Sequence, residues 1–135
     1  MSERTLVLCK PDAVERGLVG EVVGRLDRKG LRIVAMRMLT VDKDMAARHY
    51  EEHVEKSFYG ELEAFITRGP TVALVAEGTE AFKVVRTLMG ATNPREAAPG
   101  TIRGDFALEV TENLVHGSDS TESAQREIGI FFPEL

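Results

Sequence analysis

The sequence predicts an α+β fold: a four-stranded antiparallel sheet with helices packed around it, and a long functional loop at about residues 90–113. Three observations carry that expectation. Short apolar runs bounded by turn residues recur along the chain, as strands do. Between them, apolar residues return at helical spacing. Residues 90–105 are rich in Gly, Pro, Thr and Ala and show no period at all, which at that length marks a functional loop or a linker.

The elements follow in order. Residues 5–9, Thr-Leu-Val-Leu-Cys, read as a buried strand halted by Lys10-Pro11-Asp12, because proline cannot extend a ladder. Val19, Val22, Val23 and Leu26 share a helical face that Lys29-Gly30 closes. Residues 31–41 alternate as a second strand. Asp42 or Asp44 caps a helix running through His53, and 61–67 forms another short one. A third strand spans 71–76, is entered at Pro70 and left at Glu77-Gly78. Thr79 then caps a helix with Ala81, Val84, Val85 and Leu88 facing inward. After the loop come a short strand at 113–115 and a helix around 122–127 with capping-box character at Asp119-Ser120-Thr121-Glu122. Stripped of insertions, this order is the βαββαβ of ferredoxin-like domains, with helices expected on one face of the sheet.

Composition bounds the function. A chain of 135 residues is long enough for one domain with its own core, so 1–135 is read as a single domain. A linker needs a domain at each end, and the thirty residues after the loop are too few, so the loop folds back onto the same domain. The net charge of −5 argues against nucleic acid as the primary partner, which calls for a basic face. Cys9 is the only cysteine; an intrachain disulfide and a cysteine metal site are excluded and a reducing, cytoplasmic setting is expected. No apolar run reaches the length of a signal peptide or membrane span.

Asn113-Leu114-Val115-His116-Gly117-Ser118-Asp119-Ser120 is the segment that asks for an explanation. It sets a histidine where a strand stops and a helix begins. Gly117 clears space beside the imidazole, and the first N–H groups of the helix favour an anion there. A histidine merely hydrogen-bonded at a strand end fits these residues equally well.

This octapeptide closely resembles the active-site signature of nucleoside diphosphate kinases, and the resemblance runs over essentially the whole chain. Residues 5–12 are similar to the family's opening strand, 100–106 to the phosphate-binding part of its loop, and 122–128 to the helix after its histidine. One departure is Ser57, where members commonly carry proline.

The resemblance implies a phosphotransferase that moves the terminal phosphate of a nucleoside triphosphate onto a nucleoside diphosphate. His116 would be the nucleophile of a ping-pong cycle through phosphohistidine. Glu127 would hold the other ring nitrogen, supported by Ser118. Lys10, Arg86, Thr92, Arg103 and Asn113 would contact phosphates and sugar. Phe58 with Val110 would sandwich the base, without regard to its identity, and Tyr50 would line the site near His116. Taken without the family, Arg86 reads more naturally as a solvated helix residue, and Phe58 can be a core aromatic. Magnesium is implied on the nucleotide phosphates, with Asp119 as an indirect ligand through water. Members are homo-oligomers, so a hexamer is expected here ahead of a tetramer.

Two further patterns point elsewhere and are weak. His49-Tyr50-Glu51-Glu52-His53 matches the H-x-x-E-H of one zinc peptidase class, both histidines then sharing a helical face, but no third ligand is evident. Gly17, Gly20 and Gly24 form neither a P-loop nor a dinucleotide fingerprint, so phosphate must be held by another route. A catalytically silent nucleotide-binding module is the competing class, because fold alone does not fix function.

Overall fold

The computed structural model describes residues 2–135. Strand β1 (Ser2–Cys9) leads through α1 (Pro11–Glu15) and α2 (Val19–Lys29) to β2 (Arg32–Leu39). Helices α3 (Lys43–His49) and α4 (Tyr59–Thr67) precede β3 (Thr71–Thr79), which is followed by α5 (Ala81–Met89). A 3₁₀ turn (Pro94–Glu96), α6 (Ile102–Phe106), β4 (Val115–Gly117) and α7 (Thr121–Phe131) complete the chain. The sheet is antiparallel in the order β2-β3-β1-β4, as expected for a split βαβ fold.

Helices cover both faces of the sheet, not one. Alternation along the central strands explains why. Val7, Cys9, Val72, Leu74 and Ala76 face a core with Val22 and Leu26 of α2 and Ala81, Val85 and Met89 of α5. Leu6, Leu8, Ala73 and Val75 point the other way, against Ala46, Ile66, Ile130 and Phe131 of α3, α4 and α7. Successive side chains on a strand leave opposite faces, so central strands that are apolar throughout need a layer on each side.

Several boundaries differ from those expected. β1 begins at Ser2, and Pro11 opens α1 at its first turn, where proline's missing N–H costs nothing. β2 carries a register shift between Ile33 and Ala35, which breaks its simple alternation. α3 is capped by Asp42, whose side chain accepts from the Met45 amide at 2.8 Å, and it stops at His49 rather than His53. α4 starts at Tyr59, before the expected 61. Glu77 and Gly78 stay within β3, because the strand pairs with Arg4 and Glu3 of β1 through to Thr79. Thr79 therefore does not cap α5; Glu80 does, with a left-handed backbone (φ 51°) and no side-chain bond. The loop is not structureless: Thr101 caps α6 by accepting from the Gly104 amide at 3.0 Å. β4 lies two residues later than expected, at Val115–Gly117, and α7 runs from Thr121 to Phe131. No described helix is long and apolar enough to cross a membrane.

Candidate active site

The site forms where β1 ends beside β4. His116 pairs with Leu8 in the register, while Val115 and Gly117 on either side pair with Cys9 and Val7. Gly117 faces α5, where an added Cβ would lie 2.6 Å from Cε of Met89. The imidazole leaves the opposite face of the sheet, toward α3 and α7, and does not enter the core.

There its Nε2 lies 2.9 Å from Oε1 of Glu127, and the same oxygen accepts the Ser118 hydroxyl at 2.7 Å. Burial alone would raise the Glu127 carboxyl, but the hydrogen bonds from His116 and Ser118 outweigh it and hold the group below its usual range. Glu127 is therefore an ionised, acceptor-only group. An acceptor-only partner requires a hydrogen on Nε2, so the neutral tautomer that fits this contact is the one whose lone pair is on Nδ1. Ser118 is fixed in turn, because its hydroxyl also accepts from the Leu6 amide at 3.4 Å.

Cationic and amide groups gather around this ring. Lys10, Arg86, Thr92, Arg103, Asn113 and His116 all line one open cleft of about 230 Å³. Arg103 is buried, yet it is met by carbonyls and not by a carboxylate. Its Nε donates to Asn113 O at 3.2 Å, and its two terminal nitrogens donate to Gly90 O at 3.0 Å and Val115 O at 2.8 Å. Lys10 Nζ donates to Asn113 Oδ1 at 2.8 Å, and Asn113 Nδ2 to the Thr92 carbonyl at 3.0 Å. Arg86 reaches the Gly117 carbonyl at 3.4 Å.

Burial, with Arg103 nearby, lowers Lys10 to about 8. Burial, with Arg86 nearby, lowers Arg103 to about 10. These cations are desolvated and repel each other, so the cleft is electrostatically incomplete without an anion.

A second cavity of about 420 Å³ adjoins the first, and Lys10 and Tyr50 line both. Phe58 and Val110 stand in its walls, 46 % and 44 % exposed. Phe58 is therefore not a core aromatic. Arg68 steadies this cavity by joining Glu15 at 2.7 Å and Glu112 at 3.3 Å, next to the turn that carries Val110. Ser57 is exposed and touches neither cavity. Tyr50 is half-buried; burial and then the Glu127 charge push its hydroxyl up to about 12, so it stays protonated. Asp119 is exposed at the rim of the first cleft.

The structure thus brings the expected site residues to two adjoining cavities, except Ser118, which is fully buried behind Glu127 and reaches the site only through that carboxylate. It also adds residues whose part was not read from the sequence. His49 packs edge-on to His116, ring centroids 4.6 Å apart, and neither of its ring nitrogens has a partner. Burial and the neighbouring His116 lower its imidazole to about 3, so it is neutral. Its place in the His-x-x-Glu-His pattern was the available signal. That pattern does not form a peptidase site, because α3 ends at His49 and His53 lies in the following turns, its ring against Phe58 at 5.6 Å. Asp12 is the other addition: Oδ2 accepts from the buried Leu114 amide at 3.0 Å.

Comparison with known proteins agrees with this geometry. The sequence model of the family described as nucleoside diphosphate kinase matches residues 3–135. A nucleoside diphosphate kinase of Parafrankia is 63 % identical over 134 residues, 99 % of this chain and 98 % of that protein. One from Archaeoglobus fulgidus is 64 % identical over 132 residues, 98 % of this chain and 87 % of its own length. The solved structure of a halophilic nucleoside diphosphate kinase from Halobacterium salinarum in complex with CDP superposes with a TM-score of 0.96 at 48 % identity, covering 99 % of this chain and 90 % of that one. A family protein from Babesia bovis gives 0.95 at 46 % identity, covering 98 % and 90 %. With a signature histidine held by a carboxylate, a cationic cleft around it and these matches over nearly every residue, the chain belongs to the nucleoside diphosphate kinase family of enzymes.

Proposed function

We propose that residues 1–135 form a single nucleoside diphosphate kinase domain that transfers a terminal phosphate between nucleotides through phosphohistidine on His116. The observation that carries this reading is the pairing of His116 Nε2 with the ionised Glu127 in the wall of a cleft of desolvated cations; in a neutral ring held this way Nδ1 is the nitrogen left to attack.

The steps follow from that arrangement. Nδ1 attacks the γ-phosphorus of a bound triphosphate, the N–P bond forms as the bond to the β,γ-bridging oxygen breaks, and the diphosphate leaves. The ring becomes cationic, and Glu127 stabilises that charge through Nε2–H. Lys10, Arg86 and Arg103 neutralise charge gathering on phosphate oxygens, which is most of what phosphoryl transfer asks of a protein. Asn113 and Thr92 add amide and hydroxyl contacts. A second diphosphate then attacks the phosphohistidine and restores the free ring.

The base lies between Phe58 and Val110 in this reading. An apolar slot grips the faces of a base and leaves its edges largely unread, so broad nucleotide acceptance follows. Such an enzyme would equilibrate the cell's nucleoside triphosphates, deoxy forms included, in the cytoplasm.

Magnesium fits the donor set in one way. Glu127 is engaged by His116 and Ser118, which leaves Asp119 and Glu52 as the exposed carboxylates of the cleft, Asp119 being the one three residues from His116. A magnesium ion would be held chiefly by the nucleotide's own phosphates, with Asp119 reached through water. When bound it supplies positive charge to the transferring group. Self-association is part of the proposal, as a hexamer. Edge strand β2 leaves Met36 and Met38 exposed, and an unpaired apolar edge favours a second copy. Sedimentation equilibrium tests the hexamer.

The direct test of the activity is incubation with γ-labelled ATP. An acid-labile, base-stable phosphoenzyme is expected from the native chain and none from His116→Asn. Full labelling of that variant would place the nucleophile elsewhere.

A further inference from the structure

We infer that His49, His116 and Glu127 together form a binding site for a borderline transition-metal dication such as Zn²⁺, at the Nε2 edge of the His116 ring in the wall of the same cleft, and that its occupation inhibits the enzyme. The inference adds a regulatory ligand to the site proposed above. A ligand atom from each residue lies within 4.8 Å of the others. Two imidazoles and one carboxylate are a donor set that zinc accepts, with a water as fourth ligand.

His49 is the informative member. It is 5 % exposed, and both its ring nitrogens are buried without a hydrogen-bond partner. Buried polar atoms are nearly always satisfied, so an orphaned imidazole beside two potential ligands points to a missing partner. Tetrahedral zinc, at ~2.0–2.1 Å from each donor, needs donors roughly 3.3 Å apart. His116 and Glu127 are already at 2.9 Å, so the contraction falls on His49, which no hydrogen bond restrains.

The consequence for catalysis comes from the nitrogen that is used. Zinc on Nε2 of His116 needs the lone pair there, so the ring proton shared with Glu127 moves to Nδ1 and caps the nitrogen that must be free to attack. Magnesium, which prefers hard oxygen donors, would not compete there. Arg126 limits the affinity, since its guanidinium lies 3.7 Å from the second oxygen of Glu127 and repels a dication.

Equilibrium dialysis of the nucleotide-free protein against buffered Zn²⁺ tests the site. Cobalt(II) serves as a spectroscopic substitute, its visible bands reporting nitrogen and oxygen ligation. Neither measurement requires turnover, so failure of this site and failure of the kinase reading are distinguishable. One zinc per chain is expected. His49→Gln should weaken binding by at least about tenfold, the loss that even an outer-shell change brings. Arg126→Gln should tighten it by about tenfold, assuming water-like screening. Exchange at saturating Mg·ATP, normalised to each variant's uninhibited rate, should follow the same order of zinc sensitivity. Circular dichroism checks that His49→Gln folds; if it does not, Arg126→Gln decides, since misfolding does not tighten a metal site. Absence of stoichiometric zinc, or equal affinity in the native protein and in whichever folded variant decides, would overturn the inference.

Discussion

Leu114 has a positive φ (75°) at the centre of a γ-turn closed by the Val115 amide on the Asn113 carbonyl at 2.8 Å, and its own amide N–H is held by Oδ2 of Asp12 across a separation of 102 residues. A non-glycine residue in this region is strained by about 1–2 kcal/mol and persists only where its surroundings impose it. Asp12 is one such constraint, and the Leu114 carbonyl, which accepts from the Lys10 amide at 2.9 Å, is another. The strain sits between Asn113 and the strand that carries His116.

Replacing Asp12 should separate geometry from charge. Asp12→Ala leaves the Leu114 amide buried and unpaired, a cost of about 1–3 kcal/mol, and should lower kcat as His116 loses its aim. Asp12→Asn retains an acceptor oxygen and should keep most activity. Burial raises the Asp12 carboxyl, so the folded protein binds its proton more tightly than the unfolded chain does. The charged form therefore opposes folding above the raised value, and Asp12→Asn should be at least as stable as the native protein at neutral pH. That advantage should vanish as pH falls below the ordinary carboxylate range. Thermal melts at two pH values, with steady-state kinetics, check both parts.

Glu127→Gln should retain the shape of the pair and lose its control of the proton. An amide can donate as well as accept, so the His116 tautomer is no longer dictated, and the cationic phosphohistidine has no counter-charge. We expect kcat to fall by roughly 10²–10⁴-fold with a smaller change in KM. Single-turnover phosphorylation of the variant measures the step directly.

Lys10 connects pH to both binding and stability. With its group lowered to about 8, the free enzyme should lose kcat/KM for nucleoside triphosphates as pH rises through that value. The unfolded chain keeps its lysine proton to higher pH, so stability attributable to Lys10 should increase between about 8 and the ordinary lysine value of about 10.4. Lys10→Met should accordingly melt at least as high as the native protein at pH 7, by about 2–4 °C if ~1 kcal/mol is recovered, while losing activity. A lower melting temperature would mean that the bond to Asn113 outweighs desolvation.

Gly104→Ala should damage the loop that carries Arg103. Its added Cβ would collide with the backbone carbonyl of Ala98, a neighbour that cannot rotate away. The start of α6 must shift, and Arg103 with it. We expect KM for nucleotides to increase and the melting temperature to fall, by about 1–3 kcal/mol in stability terms.

Much of this was legible in the residues. Uniformly apolar strands, a capping aspartate at 42 and helical spacing in α2 and α5 follow from local patterns. The signature around His116 carried the rest, since nothing local in 113–120 states that Glu127 and Lys10 come to the same place. What escaped was set by tertiary contact. Glu77 and Gly78 look like a strand end and yet stay in β3 because β1 pairs with them. The loop looks irregular because the bonds that order it run from Arg103 to distant carbonyls. His49 looks solvated on its helix, but α7 brings Glu127 and Phe131 toward it.

Arg103 grips the carbonyls of Gly90, Asn113 and Val115, bonds within the chain that tie down the loop as part of folding. Arrival of a triphosphate should therefore freeze little further motion in this segment. Amide exchange across residues 90–113 should be nearly as slow in the resting enzyme as in the saturated one, and calorimetry should show a modest heat-capacity change dominated by the base slot.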